Sequence, residues 1–358
     1  MNEFEWDERR IRLHEGDCRD LIAGLPDDSV DAVVTDPPYE LGFMGRDWDR
    51  TGIAYDVGLW RDVLRVVKPG AHMTVFAASR TYHRVACAIE DAGFEIRDQI
   101  DWVYATGMPH GQDAARLTGD GKWAGWNTML KPAHEPIILA RKPLDGSVAD
   151  NLETWGTGCL NVDANRIPLG RDRTEYERRW TTNRNGRKPG SIYGTFNKRI
   201  AGEPGSGRFP PDMIFDETTA RELDRQSGIT VSRKGEPRAS AHPGDGWGMT
   251  HTGAEYDDMG GASRYYPVFR YERKASEAER PDVDGVRHPT VKPVELMRWL
   301  VRLVTPSDGL VLEPFAGSGA TLEACRLENR LCVAAELSAD YIRLIRQRLD
   351  RPATPAVI

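Results

Sequence analysis

The sequence predicts an α/β protein built on a doubly wound, mainly parallel sheet that carries an irregular insertion. Three observations predict it. Residues 1–145 alternate short apolar strands with amphipathic helices, the pattern of a parallel sheet covered on both faces. Residues 286–350 return to that alternation. Between them Gly, Pro, Arg, Ser and Asn dominate and no hydrophobic period survives.

The elements follow in order. "RIRLHEGD" reads as a short strand ending at Asp17. "VDAVVTD" is a second strand, apolar and β-branched enough to be buried on both faces. "GLWRDVLRVVKPG" reads as a helix with Leu59, Val63, Val66 and Val67 on one side and Gly70 as its stop. "AHMTVFAA" is a third strand, and "YHRVACAIEDAG" a helix closed by Gly93. "FEIRDQIDWVYA" and "HEPIILARKP" are further strands. The stretches "RNGRKPGSIYGTF" and "ASAHPGDGWGMTHTGAEYDDMGGASRYY" read as loops, and long loops in compact domains are commonly functional. "VKPVELMRWLVRLVT" is a helix with Pro293 suited to its first turn. "GLVLEPFAGSG" is a strand running into a small-residue turn, "SGATLEACRLEN" a helix and "LCVAAEL" a strand. "SADYIRLIRQRLD" is a final helix with Ser338 as N-cap, followed by a tail at 351–358.

The bulk composition narrows the classes. A chain of 358 residues, 39% hydrophobic, suits one large α/β domain with an insertion, or two average domains. No apolar run reaches the roughly 18 residues of a membrane span, and no membrane association is expected. The start, "MNEFEWDERR", is charged and lacks an apolar secretion signal, so the expected location is the cytoplasm. Five scattered cysteines read as reduced thiols, and neither they nor the eight dispersed histidines have metal-site spacing, so no metal is expected. The net charge of −7 counts against a nucleic-acid binder. Locally, however, Arg171 to Arg208 holds ten Lys/Arg against four Asp/Glu. That run is either a solvated loop or a basic surface that tracks phosphates.

Two constellations carry chemistry. In "VLEPFAGSGATLEAC" a strand breaks at Pro314, the turn Ala316-Gly317-Ser318-Gly319 follows, and a helix begins. Glycines there let backbone approach a ligand closely. Glu336 lies nineteen residues beyond Gly317 at the end of the next strand, where an acid can take ribose hydroxyls. The turn is not GxGxxG, which argues against a dinucleotide site. The second is Asp36-Pro37-Pro38-Tyr39, at the carboxyl end of a buried strand. Prolines remove N–H donors and leave carbonyls free to accept. Asp36 and the Pro37 carbonyl form a rigid pair of acceptors matched to an NH₂ group, and Tyr39 offers a flat face for a base. A Pro-Pro turn whose Asp caps a helix is the plainer alternative.

Together, "DPPY", "HPTVKPVELM" (His288 to Met297) and "EPFAGSG", in that order, resemble the amino-methyltransferases of DNA that use S-adenosyl-L-methionine. The order resembles their β group, a circular permutation of the usual arrangement. "GFMGRDWD" and "NTMLKPAHEPIILARKPL" further resemble methylases common in phages and prophages. The resemblance covers about residues 10–145 and 285–350. It departs at Glu313, where many relatives have Asp, and at Val291, where the usual residue is Gln.

The resemblance implies a Rossmann-like methyltransferase sheet, circularly permuted, in four parts. Residues 1–145 form the catalytic half, 146–285 the target-recognition region, 286–350 the cofactor half and 351–358 the tail. It implies site-specific methylation of adenine N6 in double-stranded DNA, with the base flipped out of the duplex. Asp36, Pro37, Pro38 and Tyr39 are the expected catalytic residues, with Phe43, Trp48 and Trp102 as candidates for the pocket. For S-adenosylmethionine the expected contacts are Asp17, Cys18, Asp36, His288, Thr290, Lys292 and the turn Glu313, Pro314, Phe315, Ala316, Gly317, Ser318, Gly319, then Glu336 and Leu337. Asp17 should lie near the adenine amine, and Thr290 and Lys292 at the methionine carboxylate. Arg46, Trp48, Arg184, Arg187, Lys188, Lys198 and Arg199 are the expected DNA contacts. The resemblance also allows a homodimer and a separate restriction enzyme as partner, neither of which the reaction requires. Cytosine N4 as target, and an inactive methyltransferase fold that binds DNA or counters restriction, remain open alternatives.

Overall fold

The computed structural model describes residues 2–42, 47–105, 107, 111–168, 207–231, 259–269 and 281–351. They divide into two compact units. The first comprises Met1–Asn161, Asp212–Thr219 and Val268–Ile358; the second comprises Val162–Pro211 and Ala220–Pro267.

The first unit is organised by a ten-stranded sheet. In chain order its strands are β1 (Glu3–Trp6), β2 (Ile11–Glu15), β3 (Val30–Thr35), β4 (Val67–Phe76), β5 (Glu95–Val103), β6 (His134–Arg141), β7 (Met213–Asp216), β8 (Val268–Phe269), β9 (Leu310–Glu313) and β10 (Leu331–Glu336). Across the sheet the order is β1-β2-β10-β9-β3-β4-β6-β5-β7-β8. Pairing is antiparallel where β1 joins β2 and where β6 lies between β4 and β5, and parallel elsewhere.

Both faces are covered, as the apolar strands require. Helices α1 (Cys18–Gly24), α2 (Val57–Val66) and α3 (Tyr82–Asp91) bring Ile22, Trp60 and Ile89 into one core. Helix α4 (Val148–Trp155) follows β6. Helix α5 (Glu217–Ser227) follows β7 and belongs to the second unit from Ala220 onward. Helices α6 (Val294–Val304), α7 (Ala320–Leu327) and α8 (Ala339–Leu349) bring Leu300, Leu322 and Ile345 into the other core. Alternation along β3 divides its side chains between them, Val33 to the first and Ala32 and Val34 to the second. Ser338 caps α8 as the sequence predicts, accepting from the Tyr341 N–H at 3.4 Å.

Two expectations are corrected, and one strand has no counterpart in the sequence reading. Helix α2 does not run to Gly70: it stops at Val66, and Val67 opens β4. Pro69 would break a helix interior, whereas Gly70, at φ +75°, lets the strand pass close to Asn151. The region 146–285 is not uniformly irregular. Ser147 and Asp150 form a capping box on α4, β7 and β8 extend the main sheet, and the first unit keeps residues up to Asn161. Strand β1 was not read from sequence because this polar edge strand exposes every other residue.

Among the described residues, no helix is long and apolar enough to cross a membrane, and no group of three or more His, Cys, Asp or Glu is placed to hold a metal ion.

Candidate active site

The site lies at the carboxyl ends of the parallel strands. Register pairs β3 with β9 through Ala32–Val311 and Val33–Leu312. The segments that leave those strands, Asp36 to Tyr39 and Pro314 to Gly319, therefore emerge at one edge. On the other side of β9, Glu336 ends β10 in register with Glu15, and the Gly16 N–H donates to the Glu336 carbonyl at 3.0 Å. Four chain segments thus converge where ligands of open α/β sheets bind.

Asp36 is held from the far end of the sequence. The Lys292 ammonium donates to its Oδ2 at 2.6 Å and lies 3.4 Å from Oε2 of Glu135. The Tyr39 hydroxyl donates to that same Glu135 oxygen at 2.6 Å. The ammonium also lies 5.1 Å from the centre of the Tyr39 ring and 4.9 Å from that of Phe76. Asp36 Oδ1 is buried and has no hydrogen-bond partner. Burial pushes the Asp36 carboxyl above its usual range, Lys292 pulls it back, Glu135 raises it further, and the Tyr39 hydroxyl, whose hydrogen bond goes to Glu135, lies near enough to lower it. Burial works against the Lys292 charge, but Asp36 and Glu135 outweigh it and raise its pKa. Burial and the two carboxylates raise the Tyr39 phenol well above its ordinary value.

The loop after Tyr39 is anchored by Asp49. Its carboxylate accepts from the Glu40 N–H at 2.9 Å and the Leu41 N–H at 3.2 Å, and its carbonyl from the Gly42 N–H at 3.0 Å. This explains the aspartate in "DWD". Trp48 lies 6.4 Å from the His288 ring at 26°, and its buried Nε1 has no hydrogen-bond partner. His288 in turn meets the edge of Tyr341 at 4.5 Å. Burial pulls the His288 pKa down to about 4, so the ring is neutral at pH 7.

The glycine turn packs against this aromatic group. Gly317 sits at φ +51°, and an added Cβ would stand 3.1 Å from Nε2 of His288. The Gly317 N–H donates to Oε2 of Glu336 at 2.7 Å, and the Ser338 N–H to Oε1 at 2.8 Å. Burial pushes the Glu336 carboxyl up to about 7. Each of its oxygens keeps acceptor capacity for a hydroxyl donor. The Ala316 N–H donates to the Ala335 carbonyl at 2.9 Å and the Gly319 N–H to the Ala316 carbonyl at 2.8 Å. Ser318 is buried, and its carbonyl accepts from Arg348 Nε at 2.8 Å. A ribose-bearing cofactor fits these residues: a glycine cradle without room for a side chain, an acid at the strand end and flat rings beside it.

Other expected residues have different surroundings. Lys292 was expected at a cofactor carboxylate; its ammonium is instead taken up by Asp36 and Glu135. Glu313 is 1% exposed and braces the turn from below. It accepts from Thr35 Oγ1 and Thr321 Oγ1 at 2.5 Å and from the Phe315 N–H at 3.0 Å. Cys18 packs into the core, where burial pushes its thiol up to about 12. Asp17 caps α1 by accepting from the Arg19 N–H at 2.9 Å. Trp102 is no pocket wall: it is 2% exposed in the core, 5.2 Å from Tyr104. Thr290 and Leu337 are exposed. Phe43, Arg46, Arg184, Arg187, Lys188, Lys198 and Arg199 lie outside the described residues. Glu135 was missed, and its one signal is an acid that opens an otherwise apolar strand, "HEPIILA".

In the second unit the Tyr265 ring has the Arg208 guanidinium 4.6 Å and the Arg264 guanidinium 4.4 Å from its centre.

The model of the N6/N4 DNA methylase family matches residues 30–347 of the chain. A relative, the Type II methyltransferase M.HindIII of Haemophilus influenzae, is 24% identical over 298 residues, an alignment covering 80% of this chain and 65% of that protein. The chain thus spans just under two thirds of that relative's length. Among solved structures, the M1.HpyAVI–SAM complex is 16% identical, with 95% of this chain and 100% of that chain covered and a TM-score of 0.46. The cytosine-N4-specific PvuII DNA methyltransferase is 14% identical, with 94% and 86% covered and a TM-score of 0.49.

Proposed function

The chain belongs to the N6/N4 DNA methylase family, and from that premise we propose that it methylates the N6 amine of an adenine flipped out of double-stranded DNA. One observation carries the reading: Asp36 Oδ1 is a buried acceptor with no partner, at the strand edge that also bears the glycine turn. A buried acceptor without a donor is costly, and an exocyclic NH₂ would satisfy it. The aspartate of DPPY also favours adenine, because cytosine-N4 enzymes more often carry serine there.

The cofactor is S-adenosyl-L-methionine, which supplies an electrophilic methyl group. Glu336 takes its ribose hydroxyls, and Phe315 and Gly317 to Gly319 wrap the ribose and methionine. Asp17 reaches the adenine amine and Thr290 the methionine carboxylate. Asp36 and the Pro37 carbonyl accept the two protons of the target amine. With both protons held, the nitrogen can pyramidalise and aim its lone pair away from the ring. Tyr39 stacks on the base with the face that Lys292 leaves free. This is catalysis by positioning and electrostatics, and it needs no covalent enzyme intermediate.

Target recognition belongs to the stretch 146–285, chiefly the second unit with its basic run Arg171–Arg208. That run, with Trp180, Tyr193 and Phe196 interleaved among its basic residues, suits phosphate and base contact. Assignment to the β group rests on the order of the motifs along the chain, DPPY first, HPTVKP next and PFAGSG last. The work is cytoplasmic, in a bacterium or a phage-infected cell.

The test is to incubate the protein with unmodified DNA and S-adenosylmethionine, digest to nucleosides and run mass spectrometry. N6-methyladenine is the expected product. N4-methylcytosine would keep the amine chemistry and overturn the base. No methylated base, with cofactor bound, would overturn the enzyme and favour an inactive DNA-binding fold.

A further inference from the structure

We propose that Glu135 is a positioning residue for the reaction: it takes over the Lys292 ammonium when Asp36 receives a proton from the methylated amine. The inference rests on the amine-methylation reading above. Its ground is a mismatch of charge in a closed space. One ammonium serves two carboxylates, at 2.6 Å from Asp36 and 3.4 Å from Glu135. Lys292 is 7% exposed, Asp36 19% and Glu135 20%. The group therefore carries one negative charge more than its single cation neutralises. Removing a charge from Asp36 leaves Lys292 and Glu135 as a matched pair.

After methyl transfer the amine nitrogen carries a positive charge and one proton too many. Its N–H bond breaks, the electron pair stays on nitrogen, and the proton bonds to Asp36 Oδ1, the oxygen with no partner. Lys292 keeps its own proton and shifts its contact from Asp36 Oδ2 to Glu135 Oε2. Without Glu135, protonating Asp36 would strand a buried ammonium, and Asp36 would be a poorer base. The Tyr39 hydroxyl on the same Glu135 oxygen fixes the carboxylate, so stacking platform and charge acceptor move as one piece. Besides these groups, Asp36 acts on the charge of Glu313, and Lys292 on that of His288.

The experiment is single-turnover methylation across pH with saturating cofactor and DNA, for wild type and Glu135→Gln. Wild type should show a rate that rises with pH as Asp36 loses its proton. Glu135→Gln should move that limb down by about one pH unit, because a neighbouring negative charge has gone. Its plateau should fall about 10- to 100-fold. A readout independent of turnover is the ¹⁵N signal of Lys292 in the cofactor-free protein, which should change its pH response in Glu135→Gln. Glu135→Asp keeps the charge and serves if the Gln variant does not fold: its limb should stay at the wild-type pH while its rate falls. If wild type methylates DNA and Glu135→Gln keeps both limb and plateau, the inference is overturned and the methylation reading stands. A limb in Glu135→Asp displaced as far as in Glu135→Gln would also overturn it. If wild type transfers no methyl group, the methylation reading itself fails.

Discussion

Lys292 donates to Asp36 at 2.6 Å across 256 positions of sequence, which ties the end of the HPTxKP stretch to the DPPY turn. Replacing the lysine by methionine keeps most of its volume and removes its charge. Two largely buried carboxylates, Asp36 and Glu135, would then face each other without a cation. Breaking a buried pair in this way costs about 3–5 kcal/mol. Urea unfolding of Lys292→Met should show a loss of that size, and Asp36→Asn added to it should recover part of the loss. A single variant within about 0.5 kcal/mol of wild type would mean that the pair behaves as a surface contact.

Gly317 gives a prediction about the turn. Its φ of +51° disfavours any side chain, and a Cβ there would press on His288 at 3.1 Å. Gly317→Ala should lower stability by about 1–2 kcal/mol and weaken cofactor binding, read by calorimetry. Gly24 is the control: it ends α1 at an ordinary φ, with nothing within 4 Å of an added Cβ. Gly24→Ala should be neutral or stabilising by about 0.4–1 kcal/mol. Equal losses at both positions would remove the special status of the turn.

These two sites show what the sequence could and could not convey. The sheet strands were legible because burial on both faces writes them as apolar runs such as "VDAVVT" and "LCVAAE". The glycine turn and Glu336 were legible because backbone approach demands fixed residues at fixed spacing. Strand β1 was illegible because an edge strand with polar residues carries no hydrophobic signal. The sequence marks Lys292 as a cofactor contact and does not convey its pairing with Asp36, because that contact is made only when the chain brings β3 and the start of α6 together. Glu135 is silent for the same reason, and Glu313, expected at the cofactor, is drawn toward Thr35 and Thr321. Spacing reports which residue stands at a strand end, whereas the direction of its side chain is decided by donors from other elements.

Glu336 makes cofactor binding depend on pH. Burial holds its carboxyl near 7 in the free protein, against the N–H groups of Ser338 and Gly317 that favour the charged form. Ribose hydroxyls donate to the carboxylate and not to the acid, so binding prefers the deprotonated group. Below pH about 7 the protein must first release a proton. The Kd for S-adenosylmethionine should therefore rise about tenfold per unit as pH falls below 7, and level off above it. Glu336→Gln should bind more weakly at pH 8 with no such slope. Calorimetry between pH 5.5 and 8.5 decides it, and a flat wild-type profile would exclude Glu336 as the hydroxyl acceptor.

Glu313 makes folding stability depend on pH in a defined direction. Burial pushes its carboxyl from the usual 4.5 up to about 8, only partly offset by donation from Thr321, Thr35 and the Phe315 N–H. The folded state therefore holds this proton more tightly than the unfolded chain does. The stabilisation is complete below pH about 4.5, declines as pH rises, and is lost above about 8. Glu336, raised to about 7, slopes the same way, while His72 and His288, both lowered to about 4, lose stability as pH falls below 6.5. The contribution of Glu313 is thus isolated only as a difference between proteins. Wild type should lose about 4 kcal/mol more than Glu313→Gln between pH 5 and pH 8.5, measured by urea unfolding. Parallel curves for the two proteins would mean that Glu313 is already ionised at pH 5, with its three donors sufficient to hold the charge inside the fold.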